Sequence, residues 1–352
     1  MLLKRVGVVV VAFGAVVWVG AEAPWDDGND RWKLVADEGS VVFGEVVATG
    51  EREAWAFGWE KVGIKAWMPM ADGPNRPTAF HWDGKDWAEQ ELPVERGEIG
   101  SVVAVSPSDV WALAGTDDGG TSALHWDGGA WTVARTFPAD EGFFTLAAAG
   151  GDVWLLGDHT AWHYDGAAWS QREIPFDAFR ASARAADDVW AIDITAAAVH
   201  RFDGKDWAAV DVADALPTEP PPADDAPPSP EGPRLDSITA DASGVWITGE
   251  IGVSPFLLFQ TDTGWRSEDI SEKSGRMTHS EHPVADGVGG HWFLGSTDVN
   301  GYDSALAHRD AKGGWTKVPS GGELSSLSVF PGGPLFATGA IGGAGGVFRS
   351  LR

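Results

Sequence analysis

An all-β fold of repeated four-stranded antiparallel units is predicted by three features of this 352-residue sequence. A motif recurs along it, seen in full as Asp109-Val-Trp-Ala-Leu-Ala-Gly115 followed by Ala123-Leu-His-Trp-Asp-Gly-Gly-Ala-Trp131. The copies keep their spacing: Trp111 and Trp154 stand 43 residues apart, close to the period of about 40–45 residues of four-stranded repeats. The apolar runs are short and bounded by Gly, Pro, Asp and Ser, the punctuation of strands and tight turns.

Each element of one unit follows from its residues. Ser101–Ser106 is an apolar run that ends at Pro107-Ser108. Asp109–Gly115 is the second strand, Ser122–Trp126 the third and Ala130–Arg135 the fourth. The last two are separated by Asp127-Gly128, a pair that supplies the positive φ angles of a tight hairpin. Further copies start at Asp152-Val-Trp154, with Ala161–Trp169 behind it, and at Asp188-Val-Trp190, with Phe202–Trp207. Worn copies pair Trp55 with Phe80–Trp87, Trp246 with Trp265, and Trp292 with Trp315; Pro334–Gly339 is a faded one.

Counted this way there are seven units: Ser40–Pro93, Ser101–Pro138, Phe143–Pro175, Phe179–Val212, Arg234–Ile270, Met277–Ser320 and Glu323–Arg352. The last has only three strands. Trp32–Val35, preceded by Asp27-Gly28, reads as a fourth strand without a unit of its own. It is expected to dock beside Val347–Leu351 and close a ring, since an open sheet leaves unpaired edges. The prediction is a seven-bladed β-propeller over residues 24–352 as a single domain, its ring closed by the N-terminal strand.

The Asp-Val-Trp-Ala-x-Gly and His-Trp-Asp-Gly-x-x-Trp alternation resembles the β-propeller repeats of secreted bacterial proteins, within the broad superfamily of WD40, Kelch, Asp-box and tectonin-type propellers. The resemblance covers the chain after residue 25. The Ser-x-Asp opening of the sialidase-type Asp-box is absent, so the likeness is to its hairpin only. Lectin-type propellers similar to this one, some of them targeting subunits of secreted toxin assemblies, imply sugar recognition in loops or between blades. A propeller carries many activities, so function has to be argued from the site.

Composition narrows the classes. The formal charge is −27, and Lys and Arg form no cluster after Lys4-Arg5. A nucleic-acid binder needs such clusters, so DNA or RNA is not an expected partner. There is no cysteine, hence no disulfide or thiol nucleophile. The 20 Trp are expected to be mostly core, since they sit at repeat positions. His81, His125 and His163 share one position, two before the Asp of the turn, and Arg201 takes it in the fourth unit. Repetition marks these as structural, expected to tie one blade to the next by hydrogen bonds.

At the N-terminus, Met1–Arg5 is basic, Val6–Val19 apolar, and Ala21-Glu-Ala23 offers small residues for cleavage. This predicts a signal peptide over 1–23, a secreted chain, and no stable membrane span after cleavage. Ala213–Pro233, with eight prolines, is expected to be an extended mobile loop.

Length varies mainly between second and third strands and between units. In a propeller these connections share one face, so that face is predicted to be the working one. Candidate ligand-binding residues on it are Trp59, Trp67, Asp117, Asp118, His159, Asp298, Asn300 and Asp303. Trp59 and Trp67 lie in an insertion, Trp59–Pro77, that offers an aromatic platform, and the acidic groups are hydrogen-bond acceptors. Asp298, Asn300 and Asp303 alternate oxygen ligands in a manner that could hold calcium, and His279 and His282 are a spaced pair that could hold a metal. Neither set is complete, and no cofactor is expected.

No nucleophile elbow, zinc-protease motif or phosphate loop occurs, and no pair of carboxylates stands out for glycoside chemistry. The expectation is a non-catalytic secreted binding module. Its first reading is lectin-like recognition of cell-surface carbohydrate; the alternative is a protein-interaction scaffold or a subunit of a secreted, toxin-like complex.

Overall fold

A computed structural model of the chain describes residues 11–12, 15–16, 32–36, 41–61, 75–116, 118–141, 143–193, 197–218, 232–252, 254–274, 283–296, 304–341 and 344–350. Most of the segment 1–23, and most of 213–233, lie outside these. Within the former, β1 (Val11–Ala12) pairs with β2 (Ala15–Val16). Among the described residues no helix is long and apolar enough to cross a membrane.

The fold is an all-β propeller of antiparallel sheets. After β3 (Trp32–Ala36), a first sheet takes β4 (Val41–Gly50), β5 (Glu53–Lys61), β6 (Asn75–Trp82) and β7 (Trp87–Gln90) in chain order. A second takes β8 (Ile99–Ser106), β9 (Asp109–Gly115), β10 (Thr121–Trp126) and β11 (Trp131–Phe137). The third has six strands: β12 (Phe143–Ala149), β13 (Asp152–Tyr164), β14 (Trp169–Ala185), β15 (Asp188–Asp193), β16 (Val199–Phe202) and β17 (Trp207–Val210). A fourth holds β18 (Arg234–Asp241), β19 (Gly244–Ile251), β20 (Ser254–Thr261) and β21 (Gly264–Asp269). A fifth holds β22 (Val284–Ala285), β23 (His291–Ser296), β24 (Ser304–Arg309) and β25 (Trp315–Pro319). The sixth is β26 (Gly322–Val329), β27 (Leu335–Ile341) and β28 (Ala344–Ser350), with β3 paired antiparallel to β28.

The blades therefore number six among the described residues, not the predicted seven. The reason lies in the third sheet. The predicted third and fourth units are joined, because β13 and β14 do not break where the sequence suggests loops. β13 pairs with β12 through residues 152–157, turns at His159 with a φ of 50°, and pairs with β14 from there on. β14 stays extended past Pro175 and pairs with β15 from Ala178 to Ala185. Hydrogen bonding thus runs through both units.

The first strand of each predicted unit lies innermost and touches the next: β4 meets β8, then β12, β14, β18, β22 and β26 follow in turn, and β26 meets β4 again. Side-chain hydroxyls stitch neighbouring inner strands. Leu146 N–H donates to Ser101 Oγ (3.3 Å), Ala181 N–H to Thr145 Oγ1 (3.3 Å), Ala240 N–H to Ser182 Oγ (2.9 Å) and Ala48 N–H to Ser328 Oγ (2.8 Å). Each satisfies a backbone donor that an innermost strand would otherwise leave without a sheet partner.

Aromatic packing between consecutive units supplies the core. Trp55, Trp111, Trp154 and Trp190 sit at one position of the second strand, and each is at most 2% exposed. Each meets, edge to face, the last-strand Trp of the following unit. The pairs are Trp55–Trp131 (5.2 Å, 86°), Trp111–Trp169 (5.9 Å, 81°), Trp154–Trp207 (6.3 Å, 90°) and Trp190–Trp265 (5.9 Å, 66°). At the junction of the chain's two ends, Phe336 on β27 takes the same role against Trp87 (6.3 Å, 88°). Such edge-to-face contacts add about 0.5–1.5 kcal/mol beyond the area they bury. Trp32 on β3 is 9% exposed and packs with Leu294, Leu324 and Phe348. Trp32→Ala should cost about 3–5 kcal/mol, read as a lowered urea midpoint; an unchanged midpoint would mean that β3 contributes nothing to the last sheet.

Candidate functional site

The turns between third and fourth strands are built by one device. Asp127 Oδ1 accepts the N–H groups of Gly129 (2.9 Å) and Ala130 (3.0 Å); Asp83, Asp165 and Asp203 do the same two and three residues on. These backbone donors hold the Asp83, Asp127, Asp165 and Asp203 carboxyls below the usual carboxylate range. The loop has four residues, and only its Gly has positive φ, 91° at both Gly128 and Gly204. A side chain at Gly128 would lie 2.9 Å from Ser108 Cβ, and one at Gly204 2.7 Å from Asp187 Cβ. The Asp-Gly turn therefore rests against the first-to-second turn of its own unit, and both occupy one face.

Beneath that face the repeated His completes a cross-strand arrangement inside its own unit. His125 Nε2 lies 2.9 Å from Asp109 Oδ1, while Trp111 Nε1–H donates to the same oxygen (2.8 Å) and the two rings stack at 4.2 Å. His163 likewise lies 2.6 Å from Asp152 and stacks on Trp154 at 3.9 Å, without the indole N–H bond to that carboxylate. Arg201 substitutes for the imidazole, binding Asp188 Oδ1 (2.8 Å) above Trp190. The expected ties between blades are thus corrected: in these units the His position pairs across one hairpin, and the hydroxyls of the inner strands do the inter-unit work. His81 stacks on Trp55 at 4.6 Å with no Asp opposite it, and burial lowers its pKa.

Three histidines escaped the sequence reading: His200, buried and stacked on Phe176 at 3.9 Å, His291 and His308. His308 lies two before Asp310, the same spacing as in the other units, and bonds Asp286 Oδ2 (2.9 Å). His291, 1% exposed, reaches Asp241 of the preceding sheet (2.7 Å), a His–Asp contact that does join blades. Burial pushes the Asp286 carboxyl up, but the Val288 and Gly290 N–H groups and His308 outweigh it and leave the pKa lowered. A carboxyl lowered in the folded state stabilises above its unfolded pKa, and that stability is lost as pH falls through the folded value. Asp286→Asn should therefore lower the urea midpoint at pH 7, by about 1–3 kcal/mol in stability, and make no difference near pH 2; an equal effect at both pH values would contradict the charged arrangement.

The opposite face gathers the ends of second strands and the starts of inner ones. Glu60 receives Arg76 (2.9 Å), which also holds Glu89 (2.7 Å). Arg234 bridges Asp236 (2.6 Å) and Glu250 (3.2 Å). Asp118 is exposed; Thr116 Oγ1 (2.5 Å) and Gly120 N–H (3.4 Å) donate to its Oδ1 and lower its pKa. His159 is exposed, with Nε2 3.4 Å from Asp177 Oδ1.

Of the residues singled out from the sequence, Trp59, Asp118 and His159 fall within the described set, one in each of the first three predicted units. Trp59 belongs to β5, between Val42 and Pro77, and is half-buried; the strand runs two residues beyond the expected start of the insertion. Trp67, Asp117, Asp298, Asn300, Asp303, His279 and His282 lie outside the described residues. A depression of about 370 Å³ lined by Leu92, Pro93, Trp126, Ala130 and Trp131 lies beside the Asp-Gly turn of the second unit, away from this face.

No family model matches the sequence, and no curated protein matches it. Solved structures do. A catalytically inactive virginiamycin B lyase from Staphylococcus aureus, with quinupristin, matches with a TM-score of 0.61 at 13% identity, over 91% of this chain and 100% of that one. YCF48 bound to D1 peptide matches at 0.58 and 15%, over 94% and 100%. The extracellular domain of a putative one-component system from B. thetaiotaomicron matches at 0.58 and 12%, over 92% of this chain and 40% of that one. The likeness is one of fold. It also corrects the expectation of a non-catalytic chain: a lyase is built on the same scaffold, so missing sequence motifs do not exclude catalysis. At 13% identity it shows no enzymatic role here either.

Proposed function

We propose that the chain is a secreted recognition module that presents the face of its second-to-third-strand connections to a peptide-like or protein partner carrying positive charge. The observation that carries this reading is the gathering of Glu60, Asp118, Asp158, Asp236 and Glu250, from four predicted units, and of Asp177 between the third and fourth, at that one end of the strands. A net charge of −27 adds long-range attraction for a cationic partner. YCF48 solved with a peptide is in keeping with it. The six-stranded sheet is read as two repeat units sharing hydrogen bonds, which leaves seven pseudo-repeats, with β3 completing the last. The basic and then apolar start of the sequence supports export.

A second reading, carbohydrate recognition, is favoured by Trp59, half-buried on the strand end beside Glu60. Both are tested by titrating the protein with a lysine-rich peptide library and a glycan array at two salt concentrations. The first reading expects peptide affinity that falls as salt rises and weakens with Asp118→Asn and Asp158→Asn. Sugar binding abolished by Trp59→Ala would instead establish the second. Binding of neither ligand would overturn both.

A further inference from the structure

The depression beside the Asp-Gly turn of the second unit has counterparts at the next two unit boundaries, where the chain's own arginines reach across. The register of the outer hairpins makes the positions comparable. Gln90 on β7 pairs with Ala79, three residues before Trp82, the partner of Trp87. Arg135 on β11 pairs with Ala123, three before Trp126, the partner of Trp131. Arg172 on β14 pairs with Ala161, three before Tyr164, the partner of Trp169. One position of the last strand thus carries Gln90, Arg135 and Arg172 in consecutive units.

Both arginines cover an aromatic ring of the following unit. The Arg172 guanidinium lies 4.9 Å from the Phe202 ring centre, and its Nη1 donates to the Lys205 carbonyl (3.1 Å). Arg135 lies 3.8 Å from the Trp162 ring centre. In the second unit Trp126 precedes Asp127-Gly128 as Phe202 precedes Asp203-Gly204, and Gly129 stands where Lys205 does. The first boundary therefore has the receiving wall without a cation to cover it. Gln90, Glu91, Leu92, Trp126, Gly129 and Trp131 line about 370 Å³, with no Lys or Arg among the lining residues. The next apolar side chain does not close the gap either. Phe137 and Ile174, two residues beyond Arg135 and Arg172, are at most 3% exposed, whereas Leu92, two beyond Gln90, is only half-buried. An aromatic wall attracts a planar cation, and Glu91, an exposed carboxylate in the lining, adds the matching charge.

We propose that this groove seats an arginine side chain of a partner peptide, its guanidinium over Trp126 and against Glu91, as Arg172 covers Phe202 two boundaries on. The inference is independent of the carboxylates on the connection face. The probe is the capped peptide acetyl-Gly-Arg-Gly-amide, titrated calorimetrically beside its citrulline counterpart, in which an uncharged urea of the same shape replaces the guanidinium. The variants are Gln90→Arg, which supplies the cation from within; Leu92→Phe, which closes the groove without adding charge; Glu91→Gln; and Asp118→Asn, on the opposite face. Far-UV circular dichroism and the urea midpoint establish that each is folded. The groove predicts saturable one-to-one binding with a Kd of about 1 mM or tighter, at least about 10-fold weaker for the citrulline peptide. Glu91→Gln weakens it about 2–5-fold, as for an exposed ion pair. Gln90→Arg and Leu92→Phe each abolish it, and Asp118→Asn leaves it unchanged. Absence of saturation up to about 10 mM, citrulline binding as tightly as arginine, or binding that survives both groove-filling substitutions would overturn the proposal. Loss of binding with Asp118→Asn would do so too, by moving the contact to the connection face.

Discussion

The interaction on which the rest depends is the edge-to-face contact between the second-strand aromatic of one unit and the last-strand Trp of the next. A single four-stranded sheet has two faces to cover and no means of covering either alone. Here each face meets its neighbour through a pair such as Trp111–Trp169, and the aliphatic side chains pack around that pair. The buried residues form wedge-shaped clusters, each shared by consecutive units. The contact persists even within the six-stranded sheet, where Trp154 meets Trp207 at 90°. Hydrogen bonding is continuous there, but the packing keeps the two halves face to face.

The turns and the Asp–His–Trp arrangements are consequences of that demand. Burying an indole leaves its N–H in need of an acceptor; Asp109 and Asp188 supply one to Trp111 and Trp190 from two residues away. The same carboxylate then orients an imidazole or guanidinium that covers the indole face. Carboxylates are therefore spent on structure on the Asp-Gly side. On the opposite side they pair with Arg76 and Arg234 or stand exposed.

Much of this was legible in the sequence, because the repeat spells out strands, turns and buried Trp directly. The strand beside β28 was legible too, since Trp32–Val35 had the pattern of a fourth strand with no unit around it. The blade count was not: the break at Asp158-His159 contains no Gly or Pro, and one residue at positive φ sufficed to turn β13 without ending it. The His positions were recognised as structural, but repetition cannot say whether a side chain reaches along its own hairpin or across to the next.

The central claim is most directly tested by a double-mutant cycle on Trp111 and Trp169, using urea unfolding of the two single Ala variants and the double variant. The account predicts a coupling of about 0.5–1.5 kcal/mol, so that the double variant is less destabilised than the sum of the singles. Additivity within about 0.3 kcal/mol would show that the two rings stabilise the ring of sheets separately, and would contradict it.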